Sequence, residues 1–270
     1  MGRLLINLAM KKVTTLILIL FLVSCNYFEK PKKIEPSQSK SKTDKTIIEK
    51  TEKKLTFILE TILLPSSYRV DKKDDPTKQL NNNWFDLYEE NDSYFLGTPS
   101  FSIKKSYDEC VGMDVKTIES KRKTILYIDN KNLKIGKIEF LKTNKNQIWP
   151  KEEMKFIFNN KTYILEGQGT ILTTENRTNE DDTNYIWHNV SDYKLILKSE
   201  DGTIETLINE SSFDQTFVDL LFIGDIDQDG KPDFIFEAPT NYEQERVILI
   251  LSSEAKKVPR KREISINFDC

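Results

Sequence analysis

The chain has 270 residues, of which 38% are hydrophobic, and its 40 lysines and arginines nearly balance its 43 aspartates and glutamates. This balance of charge argues against a nucleic-acid partner and against strong electrostatic steering of a ligand. After an amino-terminal leader and tether, the remaining length is one that a single β domain can accommodate.

The first 24 residues have the features of an export signal. Met10-Lys11-Lys12 gives a positive start, with Met10 as an alternative initiator to Met1, and Val13 to Val23 is apolar apart from two threonines. This run is too short to span a bilayer, which takes roughly twenty apolar residues. It ends in Leu22-Val-Ser-Cys25, which resembles the bacterial lipobox.

The lipobox resemblance implies that residues 1–24 are removed and that Cys25 becomes the lipid-attachment residue. In that family the cysteine thiol receives a diacylglycerol and the new amino group is acylated, for example by palmitate. More than one acyl chain makes a stable anchor. We therefore expect an exported protein, lipid-anchored to the bacterial cell membrane or the outer membrane. The alternative is an ordinary signal peptide with a chance cysteine.

Residues 25–54 are predicted to be a flexible tether. The segment is rich in Lys, Ser, Thr and Glu and has little to bury before Ile47-Ile48. Such a composition cannot offset the entropy cost of ordering the chain. Its mild excess of lysine suits either contact with anionic lipid or a plain soluble spacer.

Residues 55–270 are predicted to form one β-rich domain of antiparallel sheets, because short β-prone runs alternate with turn residues and no long helical period is visible. The clearest hairpin is Phe156 to Ile164, where Asn159-Asn160 separates two alternating runs. The candidate strands are Phe57–Glu60, Ser93–Leu96, Lys123–Tyr127, Lys137–Leu141, Met154–Phe158, Lys161–Leu165, Tyr193–Leu197, Thr203–Ile208 and Val247–Leu251. Asn81 to Asn83 and Glu175 to Asn184 are predicted to be polar loops.

The sequence offers few groups for nucleophilic or zinc chemistry. His188 is the single histidine, and it lies beside Trp187 in an apparent strand, where a structural role is usual. No serine lies in a Gly-x-Ser-x-Gly elbow and no glycine-rich phosphate loop is present. The tryptophans Trp84, Trp149 and Trp187 could line a cleft for sugar or peptide, although core packing is their commoner role.

Two cysteines remain after Cys25: Cys110 and Cys270. Export passes through a compartment that permits disulfides, so we predict that these two pair. The cross-link would close a loop of about 160 residues and stabilise the fold by up to roughly 5 kcal/mol in the chain-entropy model. Two free thiols are the alternative.

An acidic stretch between two apolar runs, Phe217–Ile223 and Phe234–Phe236, predicts a metal-binding turn between two strands. Its four aspartates stand at loop positions 1, 3, 5 and 9: Asp225, Asp227, Asp229 and Asp233. Gly230 occupies position 6, where a calcium loop turns sharply, and Lys231 at position 7 would offer its backbone carbonyl. Phe236 stands where an EF-hand has its bidentate glutamate, so the loop is not an EF-hand.

Gly224 to Asp233, followed by Glu237-Ala-Pro239, resembles the repeat of integrin-type propellers, the FG-GAP and VCBS families. In those families the acidic loop binds calcium between two strands of a blade. The resemblance implies the following calcium ligands: Asp225, Asp227, Asp229, Lys231 and Asp233. A propeller needs several blades, and no second Asp-x-Asp-x-Asp-Gly is present, so we expect a single motif at 222–239 and not a full propeller. An acidic turn without an ion is the alternative.

Three functions stay open on this basis. The first is a membrane-anchored envelope lipoprotein with a structural calcium loop, acting as a binding or scaffold protein. The second is an adhesion-type protein whose loop lies at an interface with an envelope protein or glycan. The third is an envelope hydrolase that cleaves glycan or peptide with paired carboxylates, which the sequence does not locate.

Overall fold

The computed structural model describes residues 62–178, 182–254 and 261–270. Within them the chain forms strands, two short 3-10 helices (Pro76–Lys78 and Ser252–Glu254) and no α-helix. The strands are β1 (Ile62–Leu63), β2 (Ser67–Val70), β3 (Phe85–Glu90), β4 (Ser93–Gly97), β5 (Phe101–Asp108), β6 (Met113–Ser120), β7 (Lys123–Ile128), β8 (Gly136–Ile138), β9 (Glu153–Phe158), β10 (Lys161–Thr178), β11 (Asn184–Ser199), β12 (Ile204–Ser212), β13 (Asp219–Gly224), β14 (Asp233–Glu237), β15 (Gln244–Ile250) and β16 (Lys261–Asn267).

These strands form four antiparallel sheets. An amino-terminal sheet has the order β1-β7-β3-β4-β8, and a small sheet has the order β2-β6-β5. A long-strand sheet has the order β12-β11-β10-β9, and a central sheet has the order β13-β14-β15-β16. Each sheet is open, so the described residues form neither a closed barrel nor a propeller, and the predicted all-β class is confirmed.

The central sheet is buried on both faces. Alternate residues of one strand enter different core clusters, because successive side chains point to opposite faces. Leu249 joins the first cluster with residues of the amino-terminal sheet, whereas Ile248 and Ile250 join the second cluster with residues of the long-strand sheet. The central sheet therefore lies between these two neighbours, which explains why residues 247–250 of β15 are all apolar.

Eight of the nine candidate strands coincide with strands of the structure, at least in part, and Phe57–Glu60 lies outside the described residues. At the hairpin, Lys161 pairs with Phe158, and Asn159 and Asn160 have φ of 46° and 61°. Both asparagines therefore adopt the left-handed conformation that a two-residue hairpin turn uses.

One predicted loop needs correction. Strand β10 continues to Thr178, so the first residues of the predicted loop at 175–184 are strand. The core packing expected as the commoner role of the tryptophans is confirmed, because each is at most 8% exposed: Trp84, Trp149 and Trp187. The predicted leader and tether, residues 1–24 and 25–54, lie outside the described residues. No helix of the described ranges is long and apolar enough to cross a membrane.

Gly224, the last residue of β13, lies in close contact with the segment that follows β8. Phe140 forms a bridge with Gly224, and the Asp225 amide donates to the Glu139 carbonyl at 2.9 Å. A Cβ at Gly224 would lie 2.7 Å from the Glu139 carbonyl and 2.5 Å from the Phe222 ring. Only glycine therefore fits where the chain enters the acidic loop.

The remaining cysteines, Cys110 and Cys270, lie close together although 160 residues separate them along the chain. Cys110 follows β5, Cys270 follows β16, and their Cα atoms are 5.5 Å apart, which is within the range of disulfides. Arg69 holds both segments, with ion pairs to Asp108 at 3.0 Å and to Asp269 at 3.2 Å. The pair is thus at disulfide distance, as the predicted bond requires.

Candidate metal centre

The acidic loop connects β13 to β14 at one end of the central sheet. Gly224 pairs with Asp233 and Ile223 with Phe234, so residues 225–232 form the turn between two paired strands. Ile226 is fully buried in the first core cluster and anchors the loop to the fold. The predicted strand-to-strand turn is confirmed.

Three carboxylates of this loop form a cluster. Ligand oxygens of Asp225, Asp227 and Asp229 all lie within 4.8 Å of one another. Burial raises the pKa of Asp225, and the negative charges of Asp227 and Asp229 raise it further. Crowded like charges disfavour ionisation, and a bound cation would remove that cost. The cluster therefore has the composition and spacing of a cation site.

Backbone amide groups of the loop hold the first carboxylate in place. The amides of Asp229 and Gly230 donate to different oxygens of Asp225, each at 2.9 Å. Gly230 has a φ of 84°, in the left-handed region that favours glycine. This conformation agrees with the sharp turn expected at position 6.

Asp233, predicted as a ligand at position 9, has a clear structural role. Its side chain is fully buried, and one oxygen accepts from the amides of Ile226 at 2.6 Å and Asp227 at 3.1 Å. The other oxygen accepts from the Ser252 amide at 2.6 Å. Burial, and then the charge of Asp227, raises the pKa of Asp233 well above its usual range. Asp233 is not part of the three-carboxylate cluster, and its ligation of an ion stays a prediction.

Two serines that the sequence did not indicate also contact the loop. The Ser252 hydroxyl donates to Asp229 at 2.7 Å, and the Ser253 amide donates to Asp227 at 3.2 Å. They follow β15, far along the chain from the motif, so no local spacing could identify them. Lys231, the other predicted ligand, donates its amide to Asp229 at 2.9 Å. The predicted use of its carbonyl stays a prediction.

His188 does not contribute to this site. Its Nδ1 shares a hydrogen bond with the Thr174 hydroxyl at 2.9 Å, and its ring packs edge-to-face on Trp149 with centroids 5.0 Å apart. These contacts fit the structural role expected for a lone histidine. Cys25, the predicted lipid-attachment residue, lies outside the described residues.

The arrangement of the acidic loop is thus three clustered carboxylates beside a buried fourth, all from one turn of the central sheet. Neither a family model, nor a curated protein, nor a solved structure shows a significant match to this chain. The function is therefore argued from the chemistry of the site itself.

Proposed function

We propose that this protein is a calcium-stabilised, lipid-anchored lipoprotein of the bacterial cell envelope, acting as a binding, scaffold or adhesion-type protein. The observation that carries the proposal is the Asp225, Asp227 and Asp229 cluster, whose oxygens lie within 4.8 Å of one another. The anchor is supported by the sequence before Cys25, which resembles a lipobox.

Calcium fits this cluster better than a softer metal does. The three side chains offer only carboxylate oxygens, the ligands that hard cations prefer, and no thiolate or imidazole belongs to the cluster. Calcium takes six to eight oxygens in flexible geometry, so the Lys231 carbonyl and water would complete the shell, while Asp233 holds the loop as an acceptor of backbone amides. A structural role is favoured because one turn supplies most of the ligands.

Calcium titration tests the metal site. We expect wild type to bind one Ca²⁺ with a dissociation constant of about 10⁻⁴ to 10⁻³ M, as extracellular modules do. Asp227→Ala removes one ligand and should weaken the binding, whereas Asp182→Ala, in an acidic loop without the spacing, should not. Calorimetry and melting curves with and without chelator provide the measurements. If wild type melts at the same temperature in both buffers, the loop is an ordinary acidic turn.

The anchor is tested separately in cells. Labelled fatty acid should enter the wild-type protein and be absent from Cys25→Ala, because the cysteine thiol is the attachment point in lipobox proteins. The wild-type protein should fractionate with membranes. Equal labelling of both forms would rule out this attachment site and leave the calcium site unaffected.

A further inference from the structure

A cleft of about 280 Å³ lies directly beside the acidic loop, and we call it the Tyr163 cleft. One wall comes from the end of the long-strand sheet and includes Lys161, Tyr163 and Asp201. The other wall is formed by Lys231 and Pro232 of the acidic loop and by Ser252. The cleft is thus built where two sheets and the candidate metal centre meet.

Tyr163 lines this cleft with a side chain that carries a hydroxyl group. The side chain is only 4% exposed, and its ring stacks on Phe156 with centroids 5.4 Å apart. Among the residues that the structure describes, none forms a hydrogen bond with the Tyr163 hydroxyl. As a donor and an acceptor, this hydroxyl can pair with a ligand in the cleft.

The charged groups of the cleft offer both donors and acceptors. Neither Lys161 nor Lys231 has an ion-pair partner within 4 Å in the described part of the chain, so both ammonium groups can donate to a ligand. Glu200 accepts from the Thr162 amide at 3.0 Å and Asp201 from the Thr203 amide at 2.9 Å, and each retains further lone pairs.

The presence of both ammonium and carboxylate groups in the cleft favours some classes of ligand over others. A simple anion would meet the two ammonium groups but also the carboxylates of Glu200 and Asp201, which would repel it. Neighbouring hydroxyl groups accept from ammonium and phenol and donate to carboxylate, so they satisfy both kinds of side chain. Leu197 and Pro232 add apolar lining, against which the C–H face of a sugar ring can pack.

We propose that the Tyr163 cleft binds a saccharide. This assignment adds a ligand class to the proposed binding function. It rests on the proposed calcium site because the acidic loop supplies one wall of the cleft. Ser252 lines the cleft and donates its hydroxyl to Asp229 of the carboxylate cluster at 2.7 Å. A cation that orders this wall should tighten saccharide binding, and by linkage the saccharide should tighten cation binding.

The test uses an array of neutral and acidic glycans from bacterial envelopes, probed with the full-length mature protein in calcium buffer. The strongest array glycan is then titrated by calorimetry into wild type and variants. Tyr163→Phe keeps the stacked ring and should weaken binding about five-fold, the effect of one lost neutral hydrogen bond. Lys231→Gln should weaken it about ten-fold, because a charge-assisted bond is lost. Tyr242→Phe and Lys155→Gln are matched controls outside the cleft and should bind as wild type does.

The possible results distinguish failure of the saccharide site from failure of the calcium site. Binding that weakens in Tyr163→Phe and Lys231→Gln but not in the controls supports the saccharide site. An array without any bound glycan, or equal affinity of Tyr163→Phe and Tyr242→Phe, overturns it. Wild-type melting that is insensitive to chelator refutes the calcium loop instead, and it leaves the comparison of Tyr163→Phe with Tyr242→Phe valid.

Discussion

Asp233 and Asp227 belong to one motif, but we predict that the stability lost by Asp233→Ala does not depend on calcium, whereas the stability lost by Asp227→Ala does. Asp233→Ala removes the acceptor of three backbone amides, those of Ile226, Asp227 and Ser252, at 2.6, 3.1 and 2.6 Å. A buried donor left unpaired costs about 1–3 kcal/mol. The variant also loses a buried carboxylate that the charge of Asp227 opposes, which offsets part of this cost.

We therefore expect Asp233→Ala to lower the free energy of unfolding by about 2–4 kcal/mol, with or without calcium. In a domain of about 200 residues this corresponds to a fall in Tm of about 8 °C. Asp227→Ala loses only longer contacts, at 3.3 Å to the Asp229 amide and 3.2 Å to the Ser253 amide, so in chelator it should melt near wild type. In about 1 mM calcium it should lack a stabilisation of about 1.4 kcal/mol, if the dissociation constant is about 10⁻⁴ M.

Melting curves of the two variants and wild type, each with calcium and with chelator, provide the assay. Asp233→Asn keeps one acceptor oxygen and should lose about half as much stability as Asp233→Ala. If Asp233→Ala melts as wild type does in chelator and differs only in calcium, its carboxylate is a ligand and not a structural acceptor. If Asp227→Ala is destabilised equally in both buffers, no cation bound by the cluster stabilises the fold.

Three further predictions test other parts of the fold. Gly224→Ala should destabilise the protein by about 2 kcal/mol or more in denaturant melts, because its Cβ overlaps backbone and ring, and an unchanged midpoint would contradict this close contact. Burial, and then the charges of Asp219 and Glu245, raises the folded-state pKa of Glu237, so the ionisation of this one group lowers the stability of the fold as the pH rises above about 4.5. Glu237→Gln should therefore raise Tm at neutral pH and not at about pH 4, and an equal shift at both would refute the assignment. Non-reducing peptide mapping should recover Cys110 joined to Cys270, and two free thiols in protein from the envelope would show that the pair does not oxidise.

The sequence predicts those strands that are determined by residues close to them along the chain. The β9–β10 hairpin follows from alternating apolar residues around Asn159-Asn160, which can adopt the required left-handed turn. Val247 to Leu251 is recognisable as a strand because it is a short, β-branched apolar run. Its burial on both faces was not predicted, because that depends on which sheets pack against it.

Some strands cannot be predicted from the sequence because they lack an apolar face. β5 is mostly exposed and polar, with Lys104 and Lys105 in its middle, and it is held by pairing with β6. Strand β10 extends beyond the predicted Leu165 through mostly polar residues, of which residues 167–178 pair with β11 and not with β9. Such segments are strands because the backbone of a neighbouring strand satisfies the hydrogen bonds of their amides and carbonyls. The alternation of apolar and polar residues along a sequence does not reveal which strand that neighbour is.

At the metal centre, too, the sequence shows contacts that are local along the chain and does not show contacts with distant segments. Spacing alone places the carboxylates of Asp225, Asp227 and Asp229 on one turn, because the backbone of a tight loop is a local property. The carboxylate of Asp233 accepts from the amide of Ser252, which arrives from the end of β15, and no pattern within the motif encodes that contact. An aspartate at position 9 suits both an ion and a set of buried amides, so its presence in the motif does not distinguish a ligand from a structural acceptor. The two roles differ in their dependence on calcium, which is why Asp233→Ala and Asp227→Ala must be compared in the same two buffers.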